Sequence, residues 1–67
     1  MNITINGEAF VCAKETTTVA EIAEIKGISA KGTAIAVNGR ICKADAWTST
    51  NLKDGDAVTV ISAAFGG

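Results

Sequence analysis

The chain contains no histidine and no proline, only two cysteines, and almost no charge imbalance: six Lys and Arg against seven Asp and Glu, a net charge of −1. Without histidine no Ser–His or Cys–His pair can form, which excludes the common nucleophile–base arrangements. The scattered Lys and Arg form no basic stripe, so nucleic acid is excluded as a partner. Cys12 and Cys42 without histidine would need carboxylates to complete a metal site, and the spacing supplies none. The stretch DGDAVTVISAAF opens like a calcium loop but lacks the later oxygen ligands and the closing Glu. Neither a P-loop nor a GxGxxG fingerprint occurs. No bound cofactor and no metal are therefore expected.

No apolar run is long enough to span a membrane. The opening MNITING lacks the basic start and apolar stretch of a leader. A reducing, cytoplasmic setting with free thiols is the expectation; two cysteines, Cys12 and Cys42, allow one disulfide but do not imply it. The absence of proline and of low-complexity or long charged stretches leaves no linker. Sixty-seven residues then make one domain, which buries only about 60% of the surface of its unfolded chain. With 48% hydrophobic residues, either the core is dense or apolar surface is presented to a partner.

What is present is pattern. NITIN alternates, with Ile3 and Ile5 on one face. Asn6-Gly7 forms a tight turn at low steric cost, and EAFVCA returns with Phe10 and Cys12 on one face. TTTVAEIAEIKG reads as a short helix. Thr18 caps it, Glu21 stands three residues later as the second half of a capping box, and Val19, Ile22 and Ala23 form the core-facing stripe. Lys26 stands late in the helix and Gly27 just past its end. AIAVN is a strand with Ile35 and Val37 inward and Ala34 and Ala36 outward. Asn38-Gly39 repeats the turn and RICK returns. ADAWTSTNL is a helical turn and connection anchored by Trp47 and Leu52. AVTVISA is the last strand, with Val58 and Val60 inward and Ile61 outward.

Strand, strand, helix, strand, short strand, strand calls for one helix across one face of a mixed sheet, an α+β arrangement. This is the layout of a β-grasp domain of about five strands. The first and last strands are expected side by side and parallel at its centre. The domain is read as residues 1–63, followed by a flexible tail, 64–67.

That tail ends in Gly66-Gly67. Two terminal glycines arise by chance at roughly the 0.5% level, given an ordinary glycine content near 7%, and fraying termini are common. The functional alternative uses what glycine provides: no side-chain bulk and a backbone free to extend into a narrow slot. Gly67 would then present a bare carboxylate. Adenylation by ATP makes its acyl carbon attackable, by a sulfur nucleophile to give a thioacid or by an amine to give an amide. That chemistry would belong to a partner.

AVNGRI, ADAW, LKDGDAVTVISA and the terminal GG, in this order and spacing, resemble the ThiS-type sulfur carriers of thiamin biosynthesis, over essentially the whole chain. The resemblance implies a ubiquitin-like β-grasp fold and no catalytic group of its own. It implies adenylation of Gly67 by a ubiquitin-activating-type adenylyltransferase, which uses the ATP. It further implies conversion to a thiocarboxylate with sulfur from cysteine through a desulfurase, and delivery to thiazole synthase. Because the chain ends at Gly67, no protease would be needed. Two positions depart from the family pattern: Cys42-Lys43 where Pro-Arg is frequent, and Phe65 where a small or polar residue is usual. Phe65 and Gly66 would thread the partner's slot. The small subunit of molybdopterin synthase is a related alternative, as are carriers for other sulfur-containing metabolites. A ubiquitin-like protein modifier and a non-catalytic binding module are alternatives of another class.

The sheet face opposite the helix carries Thr4, Val11, Ala36, Thr59 and Ile61. This is either an ordinary outer face with some apolar exposure or a contact for the activating enzyme. Ile61, Val11 and Ala36 are its candidate partner-binding residues.

Overall fold

The computed structural model describes residues 1–13 and 17–62. Its elements in chain order are β1 (Asn2–Ile5), β2 (Glu8–Val11), β3 (Thr17–Thr18), α1 (Val19–Ile25), β4 (Thr33–Val37), β5 (Arg40–Cys42), a 3₁₀ segment (Ala44–Ser49), β6 (Asn51–Leu52) and β7 (Ala57–Ser62). Among the described residues, five strands form one sheet in the order β2-β1-β7-β4-β5. β1 and β7 are parallel neighbours at its centre, and the other pairs are antiparallel. With one α-helix on one face, this is the expected β-grasp fold.

Alternation decides which side chains meet the helix. Ile3, Ile5, Ile35 and Val58 leave the sheet on one side and join Val19, Ile22 and Ala23 of α1 in the core. Trp47 and Leu52 close that core, as anticipated, and Cys12 lies within it. Neither cysteine is in a disulfide. Beyond Val11, the pairing of the first hairpin continues by one step. The Cys12 amide donates to the Met1 carbonyl at 2.8 Å, and the Met1 amine donates to the Cys12 carbonyl at 3.1 Å.

The seven-residue helix α1 is too short to persist alone, so its ends matter. The Glu21 amide donates to Thr18 Oγ1 at 3.2 Å and the Thr18 amide donates to Glu21 Oε1 at 3.2 Å, which completes the capping box. At the other end Gly27 takes φ +67°. The Gly27 amide donates to the Glu24 carbonyl and the Ile28 amide to the Ala23 carbonyl, at 3.1 and 2.7 Å. That pair of bonds is a Schellman motif, and it satisfies two carbonyls the helix would otherwise leave open. Lys26 is the C-cap residue rather than part of the last turn; its ammonium lies 5.2 Å from the centre of the Phe10 ring.

One feature was absent from the expected layout. Thr17–Thr18 and Asn51–Leu52 pair antiparallel as a second, two-stranded sheet. Together with the Val19 amide bonded to the Thr50 carbonyl at 3.0 Å, this pair ties the start of the helix to the segment carrying Trp47.

Candidate functional site

The tail predicted to carry the chemistry follows β7, so the site is built from this strand outward. β7 is flanked by β1 on one edge and β4 on the other, and on the β4 edge pairing runs to its last residue, Ser62 opposite Thr33. Phe65, Gly66 and Gly67 lie outside the described residues.

Both Asn-Gly turns touch this strand. Asn6 and Asn38 have φ of 53° and 52°, left-handed values that asparagine tolerates better than most residues. The Asn6 amide donates to the Val58 carbonyl at 2.8 Å, continuing the parallel ladder. In such a ladder the next rung would run from the Val60 amide to the Asn6 main-chain carbonyl. The chain turns away at Asn6, and the Val60 amide donates to Asn6 Oδ1 instead, at 2.8 Å. The antiparallel edge repeats the substitution. The Asn38 amide donates to the Ala57 carbonyl at 2.7 Å, and the Ala57 amide donates to Asn38 Oδ1 at 2.9 Å. Asn38 Nδ2 in turn donates to Asp56 Oδ1 at 2.9 Å. Each turn asparagine thus supplies from its side chain the acceptor that its turned backbone withdraws.

The register also defines the outer face. Its rows are Ile61 with Ala34, then Thr59 with Ala36 and Ile41, then Ala57 with Thr4 and Ala9, and last Asn2 with Val11. None of these residues is charged, whereas a solvent-facing side of an antiparallel sheet is ordinarily polar. Ile61 is 48% exposed and Ile41 61% exposed, with the small Ala34 and Ala36 between them.

Three expectations concern this face. Ile61 stands as expected, exposed and beside the end of β7. Ala36 is on the outer face but only 6% exposed, because its cross-strand neighbours Ile41 and Thr59 cover so small a side chain; it can floor a contact but offers little surface. Val11 is 71% exposed, yet it stands level with Asn2 on the edge strand β2. By register that places it about 20 Å from Ile61 along the strand direction. The apolar patch near the end of β7 is therefore Ile61, Ala34, Ala36 and Ile41, and Val11 is not part of it. Ile41 is the residue that sequence reasoning missed. The signal was available: a two-residue turn at Asn38-Gly39 pairs Val37 with Arg40, and this sends Ile41 outward opposite Ala36.

Among the described residues no group of three metal-ligating side chains is brought together. Cys12 is buried in the core. Cys42 is half-buried, its thiol donating to Thr50 Oγ1 at 3.3 Å.

The model of the ThiS family matches residues 3–67. The chain belongs to the ThiS family. Two solved structures agree. The crystal structure of the thiamine biosynthesis protein ThiS from Geobacter metallireducens is 32% identical with a TM-score of 0.84, each chain covered over 100% of its length. A solution structure of a thiamine biosynthesis protein from the same organism is 32% identical with a TM-score of 0.79. It is covered over 86% of its length and this chain over 100%. Among curated protein sequences there is no significant match. As a ThiS-family member this chain has the family's β-grasp frame.

Proposed function

We propose that this ThiS-family chain is a sulfur carrier of thiamin biosynthesis and that the carboxylate of Gly67 is its reacting group. A carboxylate is a poor acyl donor. An adenylyltransferase of the ubiquitin-activating type would transfer AMP from ATP to Gly67 with loss of pyrophosphate, giving a mixed anhydride. A persulfide supplied through a cysteine desulfurase would displace AMP to give an acyl disulfide, and thiols acting as the reductant would cleave its S–S bond to release the thiocarboxylate, whose sulfur passes to thiazole synthase. The chain itself would be a co-substrate and not an enzyme, with Gly66 and Phe65 threading the slot. Its place of action would be the cytoplasm; among the described residues no helix is long and apolar enough to cross a membrane.

The observation that carries this reading is the extent of the family match, which runs through residue 67 and so includes the Gly-Gly ending. The uncharged outer face near the end of β7 supports it. Ile61 and Ile41, over the floor of Ala34 and Ala36, offer an apolar contact through which a partner would align the strand with its slot. The ThiS match favours the thiazole product over molybdopterin.

Intact mass spectrometry tests the reading. The chain, an activating enzyme, ATP and a sulfur donor should yield a species with one oxygen exchanged for sulfur, lost on deletion of Gly67. Adducts joined to other proteins would mark a modifier instead, and full function without Gly67 would sink both.

A further inference from the structure

The two turn asparagines perform the same substitution, but at different ends of β7. Asn38 acts on Ala57, the first residue of the strand, and Asn6 on Val60, two residues before its end. The surroundings also differ. β1 pairs with β7 only at Ala57 and Val58, so beyond Val58 no described strand flanks that edge. On the opposite edge β4 accompanies the strand through Ser62. The bond from the Val60 amide to Asn6 Oδ1 is therefore the rung that holds the final part of β7 from the β1 side. A strand paired on one edge alone can twist and fray about that edge.

We infer that Asn6 is a positioning residue, which fixes the direction in which β7 delivers the following residues to a partner. This rests on the carrier reading above. Asn6 lies in the turn between β1 and β2. It acts through Val60, whose neighbour Ile61 belongs to the apolar patch. Holding the Val60 amide thus sets the patch and the exit of the strand in one geometry before docking, which removes an ordering cost from association. Asparagine suits the task because it accepts a positive φ and carries a carbonyl at the needed reach. Glycine would satisfy only the first requirement, and aspartate both.

The experiment compares Asn6→Gly, Asn6→Asp and Asn38→Gly with the unaltered chain. Amide exchange at Val60, followed by NMR in the free protein, should quicken roughly 5- to 10-fold in Asn6→Gly, the size of one lost hydrogen bond, and return toward normal in Asn6→Asp. With the activating enzyme, KM for Asn6→Gly should rise by a similar factor while kcat holds. Asn38→Gly, which loses the equivalent bond at the far end of the strand, should leave KM unchanged. Unaltered exchange at Val60 in Asn6→Gly would overturn the inference, as would an equal rise in KM for Asn38→Gly. A failure of the unaltered chain to be adenylated would count against the carrier reading. The Val60 exchange needs no enzyme and still decides whether Asn6 holds the strand.

Discussion

The indole Nε1–H of Trp47 donates to the main-chain carbonyl of Cys42 at 2.9 Å. The bond joins the 3₁₀ segment to the edge strand β5, while the ring itself is buried in the core. Trp47→Phe keeps much of the apolar volume but leaves a partly buried carbonyl without this donor. The expected cost is about 1–3 kcal/mol. Trp47→Ala also opens a cavity and should cost about 3–5 kcal/mol. A core this small supplies only a few kcal/mol of net stability, so the alanine variant should be largely unfolded at room temperature. Urea denaturation followed by far-UV circular dichroism checks both; a midpoint unmoved by Trp47→Phe would show that the bond contributes nothing.

The capping box gives a second, smaller effect. Thr18→Ala removes the acceptor for the Glu21 amide and should destabilise by about 1 kcal/mol, whereas Thr18→Ser should be nearly neutral. Glu21→Gln should also be mild, since a glutamine can complete the box. Thermal midpoints rank the three. A Thr18→Ser variant as weak as Thr18→Ala would show that the methyl group, and not the hydroxyl, is what matters.

Much of this frame was legible because each of its main elements carries a local signature. The hairpins have alternation on both arms and Asn-Gly between them. The helix has Thr18 and Glu21 at its start and Val19, Ile22 and Ala23 on one stripe. What escaped was set by tertiary placement. β3 and β6 are each two residues long, too short for any period, and they pair between distant parts of the chain, Thr17 with Leu52 and Thr18 with Asn51. Alternation assigns Ala36 to the outer face but does not say that Ile41 covers it. Val11 and Ile61 share a face by parity, yet only the β1–β7 register shows how far apart they stand. The Asn-Gly pairs announced turns; that their side chains also complete the ladder of a distant strand follows from where β7 lies.

The two thiols should differ sharply in reactivity. Cys12 is a core residue, and reaching it requires opening the structure. Cys42 is half-buried at the edge strand, beside a shallow recess lined by Arg40, Ile41 and Lys43. A chromogenic disulfide reagent should therefore modify one thiol per chain in native protein and the second only in denaturant. In Cys42→Ser the fast phase should vanish. Its survival would mean that the core opens around Cys12 far more readily than the packing implies.

The outer-face patch yields the prediction closest to function. Ile61→Glu and Ile41→Glu each place a charge on exposed positions of an uncharged face. Surface changes of this kind usually alter stability by less than about 0.5 kcal/mol, so the fold should survive. A buried charge in a docked complex is another matter, because it must lose its water without gaining a partner. Adenylation kcat/KM should fall by about 10-fold or more for each, as expected for apolar residues at the centre of a contact. Val11→Glu supplies the control: it is the same kind of substitution on the same face, but at the far end of the sheet, and it should leave the kinetics within about twofold of normal. The double variant of Ile41 and Ile61 adds a second discrimination. If both side chains enter one contact across the Ala34–Ala36 floor, the first glutamate already expels the partner from the patch, and the second should cost less than it does alone. Full additivity would mean separate contacts. Normal kinetics in all the single variants would remove this face from the docking surface and leave the tail to carry recognition by itself.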